Sequence, residues 1–310
     1  MKRVLVGIDI GGTKIAVLAR ETRSEREVYS AKVKTPADEG LGAVLRLIDE
    51  QVDALPGGRS SMAAMGIAVP GAVDENGHVL YAGNLRGWGD VPLREQLEER
   101  YGVPVYVERD ANCGAVGEKW LGVAKKMKDF VFLALGTGVG AGLFIDGSLY
   151  RGAHYAAGEV GDMTFLSEDE DTRLSDVVGK REIKKKAKKA TGKKMSAAEV
   201  LERAEKIRAL RPVARDVVEH LSTSVVAISS LLDPEAIVFG GGTSQAGEPL
   251  LKMVRERVAP LHVVRARLML GELGSSAQLY GALWGAQRVS RRRQRQTPIP
   301  ATRRAKTGSR

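Results

Sequence analysis

Cysteine is nearly absent from this chain. Cys113 stands alone, so no internal disulfide exists, which fits a reducing compartment. Histidine is almost as scarce. His78, His154, His220 and His262 are scattered and, with one cysteine, give no metal-ligand spacing. Aromatic residues make up only 5%, which argues against broad stacking platforms for bases. No apolar run reaches the length of a membrane span, and Asp9 interrupts the apolar N-terminus too early for a signal peptide. These absences predict a cytoplasmic protein with no membrane partner. Acidic residues are missing from 288–310, where nine Lys/Arg stand; without that stretch, 39 basic residues face 38 acidic ones. The net charge of +10 therefore resides in a tail, expected to be disordered over 291–310. No nucleic-acid partner is expected for the rest of the chain. Lys180–Lys194 reads as the solvated face of a helix ending at Thr191-Gly192.

Glycine, by contrast, is abundant. Gly7-Ile-Asp-Ile-Gly-Gly-Thr-Lys14 lies between two β-like runs, Val4–Ile8 and Ile15–Leu18. The glycines permit a tight reversal with backbone N–H groups close to an anion, Thr13 adds a hydroxyl and Lys14 a cation. A plain hairpin turn is the alternative. It is not a Walker loop, because a strand follows and the spacing differs. A second hairpin repeats the theme: Phe130–Leu135, a turn over Gly136–Gly142, and a return at Leu143–Ile145. The loose GxGxxA here is followed by a strand, against a dinucleotide fold. The repeat predicts an α/β protein with two duplicated lobes and a cleft between them.

Further elements follow from periodicity. Leu41, Val44, Leu45, Ile48, Val52 and Leu55 form a helical stripe, and Met62–Val69 a buried strand. Val103, Val105 and Val107 alternate up to Asp110, and Ala111–Leu121 is helical. A long apolar stripe from Val217 to Leu231 stops at Asp233-Pro234. Ile237–Phe239 then runs into Gly240–Gly242, and 276–288 forms a closing helix.

Asp110, between a strand end and a helix start, sits where ligands bind in open α/β sheets. It can accept a proton from a hydroxyl or merely cap its helix. Helix amides are expected to lower its pKa and keep it ionised at pH 7. Arg151–Asp162 carries Glu159 and Asp162, which suit vicinal hydroxyls or a solvated loop. Gly240–Gly242 suits a flat purine or a simple turn.

Taken in order, these blocks resemble the ROK sugar kinases, of the glucokinase-like, zinc-free kind. The blocks are Gly7–Lys14, VPGAVD at 69–74, NLRGW at 84–88, Asp110-Ala-Asn112 with Gly117-Glu118, LGTGVGAG at 135–142, GAHYAAGEVG at 152–161 and LLDPEAIVFGGG at 232–242. The resemblance implies a two-lobed actin-like ATPase (ribonuclease H-like) α/β fold. Its smaller lobe would be 1–112 plus 276–290, and its larger lobe 113–275. It implies ATP, Mg²⁺ and a hexose phosphorylated at its 6-hydroxyl, with Asp110 as general base. Asp9, Gly11, Gly12, Thr13, Lys14, Gly136, Thr137, Gly138, Gly241 and Gly242 would serve ATP, with Asp9 near magnesium. Gly71, Asn84, Arg109, Asp110, Glu159 and Asp162 would face the sugar. A homodimer is implied. The family's regulators carry an N-terminal DNA-binding domain, whereas this chain opens at the first strand, so an enzyme is expected over a sensor. Other acceptors or donors (an N-acetylhexosamine, polyphosphate) and a degenerate sugar-binding protein are the alternatives.

Three departures stand out. Arg109 replaces the usual Asn and Asp162 the usual zinc-binding His, and the cysteine-rich segment is missing from Ser167–Ser175. Zinc is therefore not expected. Arg109 would either shrink the pocket or pair with Asp162.

Overall fold

The computed structural model describes residues 3–82, 85–166, 171–242, 244–261 and 263–296. The first 82 residues give strands β1 (Val4–Ile10), β2 (Lys14–Glu21) and β3 (Glu27–Lys34), helix α1 (Leu41–Asp53), then β4 (Met62–Val69), β5 (Ala72–Val73) and β6 (Val79–Tyr81). Helix α2 (Leu93–Tyr101), β7 (Val105–Arg109) and α3 (Asp110–Trp120) follow. The second hairpin is β8 (Phe130–Leu135) and β9 (Val139–Ile145), extended by β10 (Ser148–Tyr150). Next come β11 (Thr164–Phe165), β12 (Thr172–Arg173), α4 (Leu174–Val178), α5 (Lys180–Thr191), α6 (Ala197–Arg203) and α7 (Arg211–Leu232). The chain closes with β13 (Ala236–Gly240), α8 (Glu248–Val258), β14 (Arg267–Leu270) and α9 (Ala277–Gln296).

Two five-stranded sheets share one plan. The first runs β3-β2-β1-β4-β7 and the second β10-β9-β8-β13-β14. In each, an antiparallel hairpin (β1–β2, β8–β9) is joined to two parallel strands. The duplication expected from the two glycine hairpins is present. The second turn is shorter than expected, because β9 already begins at Val139 and pairs Leu135 with Val139. Gly140 and Gly142 are thus strand residues, and at Gly142 a side chain would press against the Ala111 carbonyl of α3.

Strand alternation sets the layers. Val4, Val6, Ile8 and Ile10 face a core with Val44, Ile48 and Val52 of α1 and Leu93 and Leu97 of α2. Leu5, on the opposite face, meets Leu279 and Leu283 of α9. In the second sheet Val131, Leu133, Ile237 and Phe239 face the α4–α8 layer, while Phe130, Phe132 and Val238 face Ala115 and Val116 of α3. Helices α3 and α9 therefore lie between the sheets and pack on each other. They come close enough that a side chain at Gly281 would collide with the Cys113 carbonyl.

Two boundaries differ from expectation. The lobe boundary expected after residue 112 falls inside α3, and α9 continues to Gln296, so 291–296 are helical. Leu279, Leu283 and Ala286 anchor that helix on the first sheet, and its last turns continue the same ladder into the arginine run. Residues 297–310 lie outside the described residues. On α5 only Ile183 and Ala187 are buried, which leaves its lysines on a mostly solvated face.

Candidate active site

The C-terminal ends of β1, β4 and β7 carry Asp9, Gly71 and Asp110. Those of β8 and β13 carry Gly136–Gly138 and Gly241–Gly242. The first glycine turn is closed by Gly11 N–H donating to the Lys14 carbonyl at 3.0 Å. Its Gly11 carbonyl accepts from Thr35 Oγ1 at 2.6 Å. Thr13 and Lys14 are left exposed. The second turn is closed by Gly136 N–H on the Gly138 carbonyl at 2.9 Å, and Thr137 is exposed. Gly241 has φ +88°, a left-handed backbone that favours glycine, and a side chain there would crowd the Leu135 carbonyl. The second phosphate-type turn and the Gly241-Gly242 step are thereby neighbours.

Lys180 joins them, and the sequence reading missed it. Its N–H donates to the Gly136 carbonyl at 2.9 Å, and a Cβ on Gly242 would lie 3.5 Å from its ammonium. Burial first, then Lys184 and Lys14, push its pKa down. Lys180 thus stands on the second lobe within electrostatic reach of Lys14 on the first. Its only signal in the sequence was Gly179, which breaks the chain before an otherwise solvated lysine-rich helix.

Asp9 and Asp110 are the two carboxylates at the centre. Asp9 is pushed up to about 7, because burial disfavours its charge and Asp110 repels it, with Lys14 opposing. Asp110 accepts the Ala111 N–H at 2.6 Å, yet its pKa is also raised. The expected lowering by helix amides is overturned: desolvation outweighs both the Ala111 N–H and Arg109. Nor is Asp110 the helix cap. That position belongs to Arg109, whose side chain makes no cap bond, and Asp110 is the first helical residue.

Arg109 is 2% exposed and settles the alternative posed by the sequence. Its guanidinium donates to the Ala157 and Gly158 carbonyls at 2.7 and 2.8 Å and lies 3.5 Å from Glu159 Oε1. It does not pair with Asp162. Asp162 is exposed and faces Arg173 at 3.5 Å. Tyr81 Oη, on β6 of the first lobe, donates to the same Glu159 oxygen at 3.2 Å. Arg109 and Tyr81 therefore tie the 151–162 loop across the cleft. Gly71, at φ +91°, takes the turn after β4 against the Tyr81 and Ala82 backbone. Asn84 lies outside the described residues.

Two other carboxylates of the Asp110 block turn inward. Glu108 is bound by Arg151 at 2.6 and 2.8 Å, by Asn112 Nδ2 at 2.9 Å and by the Arg109 N–H at 3.0 Å. Glu118, fully buried, accepts N–H groups of Val123, Glu272 and Leu273 at 3.1, 3.2 and 2.9 Å. Glu118 joins α3 to the loop before α9; it holds the frame rather than a ligand.

A family model described as ROK family matches residues 5–289. A glucokinase of Halalkalibacterium halodurans is 30% identical, the match covering 91% of this chain and 94% of that protein. A xylose repressor of Caldicellulosiruptor bescii is 31% identical over 81% of this chain and 69% of its own length. Among solved structures, a ROK family glucokinase from Streptomyces griseus, in complex with glucose and AMPPNP, superposes with TM-score 0.78 at 28% identity. That match covers 92% of this chain and 99% of that one. The two lobes have the actin-like ATPase fold, and the chain belongs to the ROK family.

Proposed function

We propose that this ROK protein is an ATP- and Mg²⁺-dependent sugar kinase that phosphorylates a glucose-like hexose at its 6-hydroxyl. One observation carries the reading. Asp110 directly follows β7, at the strand end of the sheet that also carries the first glycine turn, with the second glycine turn on the other lobe, so a hydroxyl beside it would face the end of a triphosphate. A carboxylate with raised pKa is a better proton acceptor than an ordinary Asp, provided it is ionised at the working pH. Among the described residues no side chain donates a hydrogen bond to Asp9, and its charge is disfavoured by burial and by Asp110. That oxygen donor set fits magnesium, with Asp9 as the residue to hold it, directly or through water. Bound there with the nucleotide, magnesium would neutralise charge on the phosphates.

Gly11, Gly12, Thr13 and Lys14 would take the phosphates from one side. Gly136, Thr137, Gly138 and Lys180 would take them from the other, with the base against Gly241-Gly242. Lys180→Met should then raise KM for ATP about tenfold, with Lys180→Arg close to the parent, as expected for one charge-assisted contact. Glu159, Gly71 and Asn84 would line the sugar side, with Arg109 holding Glu159 in place. We take the protein to be a cytoplasmic homodimer without zinc; sedimentation tests the dimer and elemental analysis of the pure protein tests the zinc.

The deciding experiment measures ADP or shortened polyphosphate released across a panel of hexoses and N-acetylhexosamines, with ATP and polyphosphate as donors. Turnover with ATP, a hexose and Mg²⁺ is expected. A clear preference for another donor or acceptor would reassign the substrate. A second reading, a sugar-binding protein without turnover, is favoured by one feature: Glu159 is already engaged by Arg109 and Tyr81. Calorimetric binding of a sugar with no turnover for any donor would establish it.

A further inference from the structure

The arginine-rich end of α9 does not simply project into solvent. Arg288, Arg292 and Arg293 border a groove of about 1050 Å³, whose other walls carry Arg94 of α2 and Arg151. Glu75 and Glu98 are the carboxylates on its rim, and Glu98 is engaged by the Val105 N–H at 2.9 Å. Arg151 is engaged by Glu108. Arg94 donates to the Glu75 carbonyl at 3.1 Å, while its Nε is buried without a partner among the described residues. Arg288 lies over the Trp284 ring at 5.3 Å, and Arg293 donates to the Gly102 carbonyl at 3.2 Å. Arg94, Arg288 and Arg292 form no ion pair with a carboxylate among the described residues. Uncompensated guanidinium groups converging on one concavity raise the local concentration of anions, and their planar forks match phosphate oxygens.

A second cavity of about 560 Å³ adjoins the groove at Tyr106, Arg151 and Arg288 and is walled by Trp120, Phe144 and Trp284. The arginines come from α2, α9 and the loop after β10, so they are spaced for several anionic groups rather than one. We infer that this groove is a second ligand site, separate from the cleft, for a small compound carrying several phosphates, free or on an organic group seated in the aromatic cavity. The concave walls favour a compact anion over a nucleic-acid track, which runs along an extended basic stripe.

Isothermal titration with inorganic triphosphate tests this. The parent protein should show two binding events, one here and one at the proposed donor turns. Arg288→Glu/Arg292→Glu should weaken one event at least tenfold, and Arg288→Gln/Arg292→Gln less so, with unchanged melting. Lys14→Ala should weaken only the other. Persistence of both events in Lys14→Ala counts against the donor reading and leaves the groove standing. Unchanged titration of the charge-reversed variant overturns the groove. A sugar bisphosphate binding the groove more tightly than triphosphate would assign the aromatic cavity to its carbon part. Tighter binding of duplex DNA, lost in the same variant, would overturn the proposal in favour of a nucleic-acid surface.

Discussion

Four carboxylates gather around β1, β7 and α3, and the protein treats them in two ways. Glu108 and Glu118 are surrounded by donors: a bidentate arginine, an asparagine and a backbone N–H for one, three backbone N–H groups for the other. Asp9 near the end of β1 and Asp110 just past the end of β7, two parallel strands with β4 between them, share a single hydrogen bond among the described residues, Ala111 N–H on Asp110. Burial raises both of their pKa values, and the Asp110 charge adds to the rise at Asp9. A satisfied buried carboxylate is a fastener. An unsatisfied one at a cleft costs stability and is kept where chemistry can use it.

The largest expected effect breaks the second pair. Asp110→Asn should lower kcat by at least about 10²-fold, the usual scale for losing a general base. Its melting temperature should hold. Near-normal turnover would remove Asp110 from the catalytic role and with it the difference from Glu118.

Glu118→Ala attacks the first pair. Three part-buried N–H groups would lose their acceptor, a cost of about 2–3 kcal/mol in unfolding free energy. The turnover of the folded fraction should stay within about twofold of the parent. Denaturant unfolding monitored alongside activity checks both halves; a large drop in kcat without destabilisation would place Glu118 in the reaction.

The contrast between these residues was only half visible in the sequence. Hairpin, glycine turn and strand-to-helix junction announce themselves through local spacing, so both sheets and the place of Asp110 were legible. Burial is a tertiary quantity. Nothing in the string Glu108-Arg109-Asp110 says that Glu108 turns inward to Arg151, that Arg109 crosses to Ala157 and Gly158, or that desolvation overrides the helix amides at Asp110. Lys180 was hidden by its neighbours: among so many solvated lysines, only contact with Gly136 and Gly242 sets it apart. Glu159 and Asp162 share one loop, and only the fold separates the tethered carboxylate from the exposed one.

Asp9 sharpens the comparison through pH. Its carboxyl lies near 7 in the fold, against about 3.9 in an unfolded chain. The folded state therefore holds a proton that the unfolded state has released. Stability from this group is fully present below about pH 4 and is lost as pH rises toward 7. Asp9→Asn should remove that slope. Compared by thermal melts without divalent cations, the variant should gain on the parent between pH 4 and 7 by on the order of 3 kcal/mol. Added Mg²⁺, by favouring the ionised carboxylate, should narrow the gap. A constant difference across that range would mean that Asp9 titrates normally.

The smallest effect is expected at Asp162. It is exposed, 3.5 Å from Arg173, and an exposed ion pair contributes about 0–1 kcal/mol. Asp162→Ala should leave both melting and the sugar KM within about twofold of the parent. Glu159→Gln, at the tethered position of the same loop, should raise KM about tenfold, the scale of one lost charge-assisted hydrogen bond. If the two variants behaved alike, the tether from Arg109 and Tyr81 would not be what selects a sugar-facing carboxylate. The division between satisfied and poised carboxylates would then stop at the strand ends and not extend to the loop.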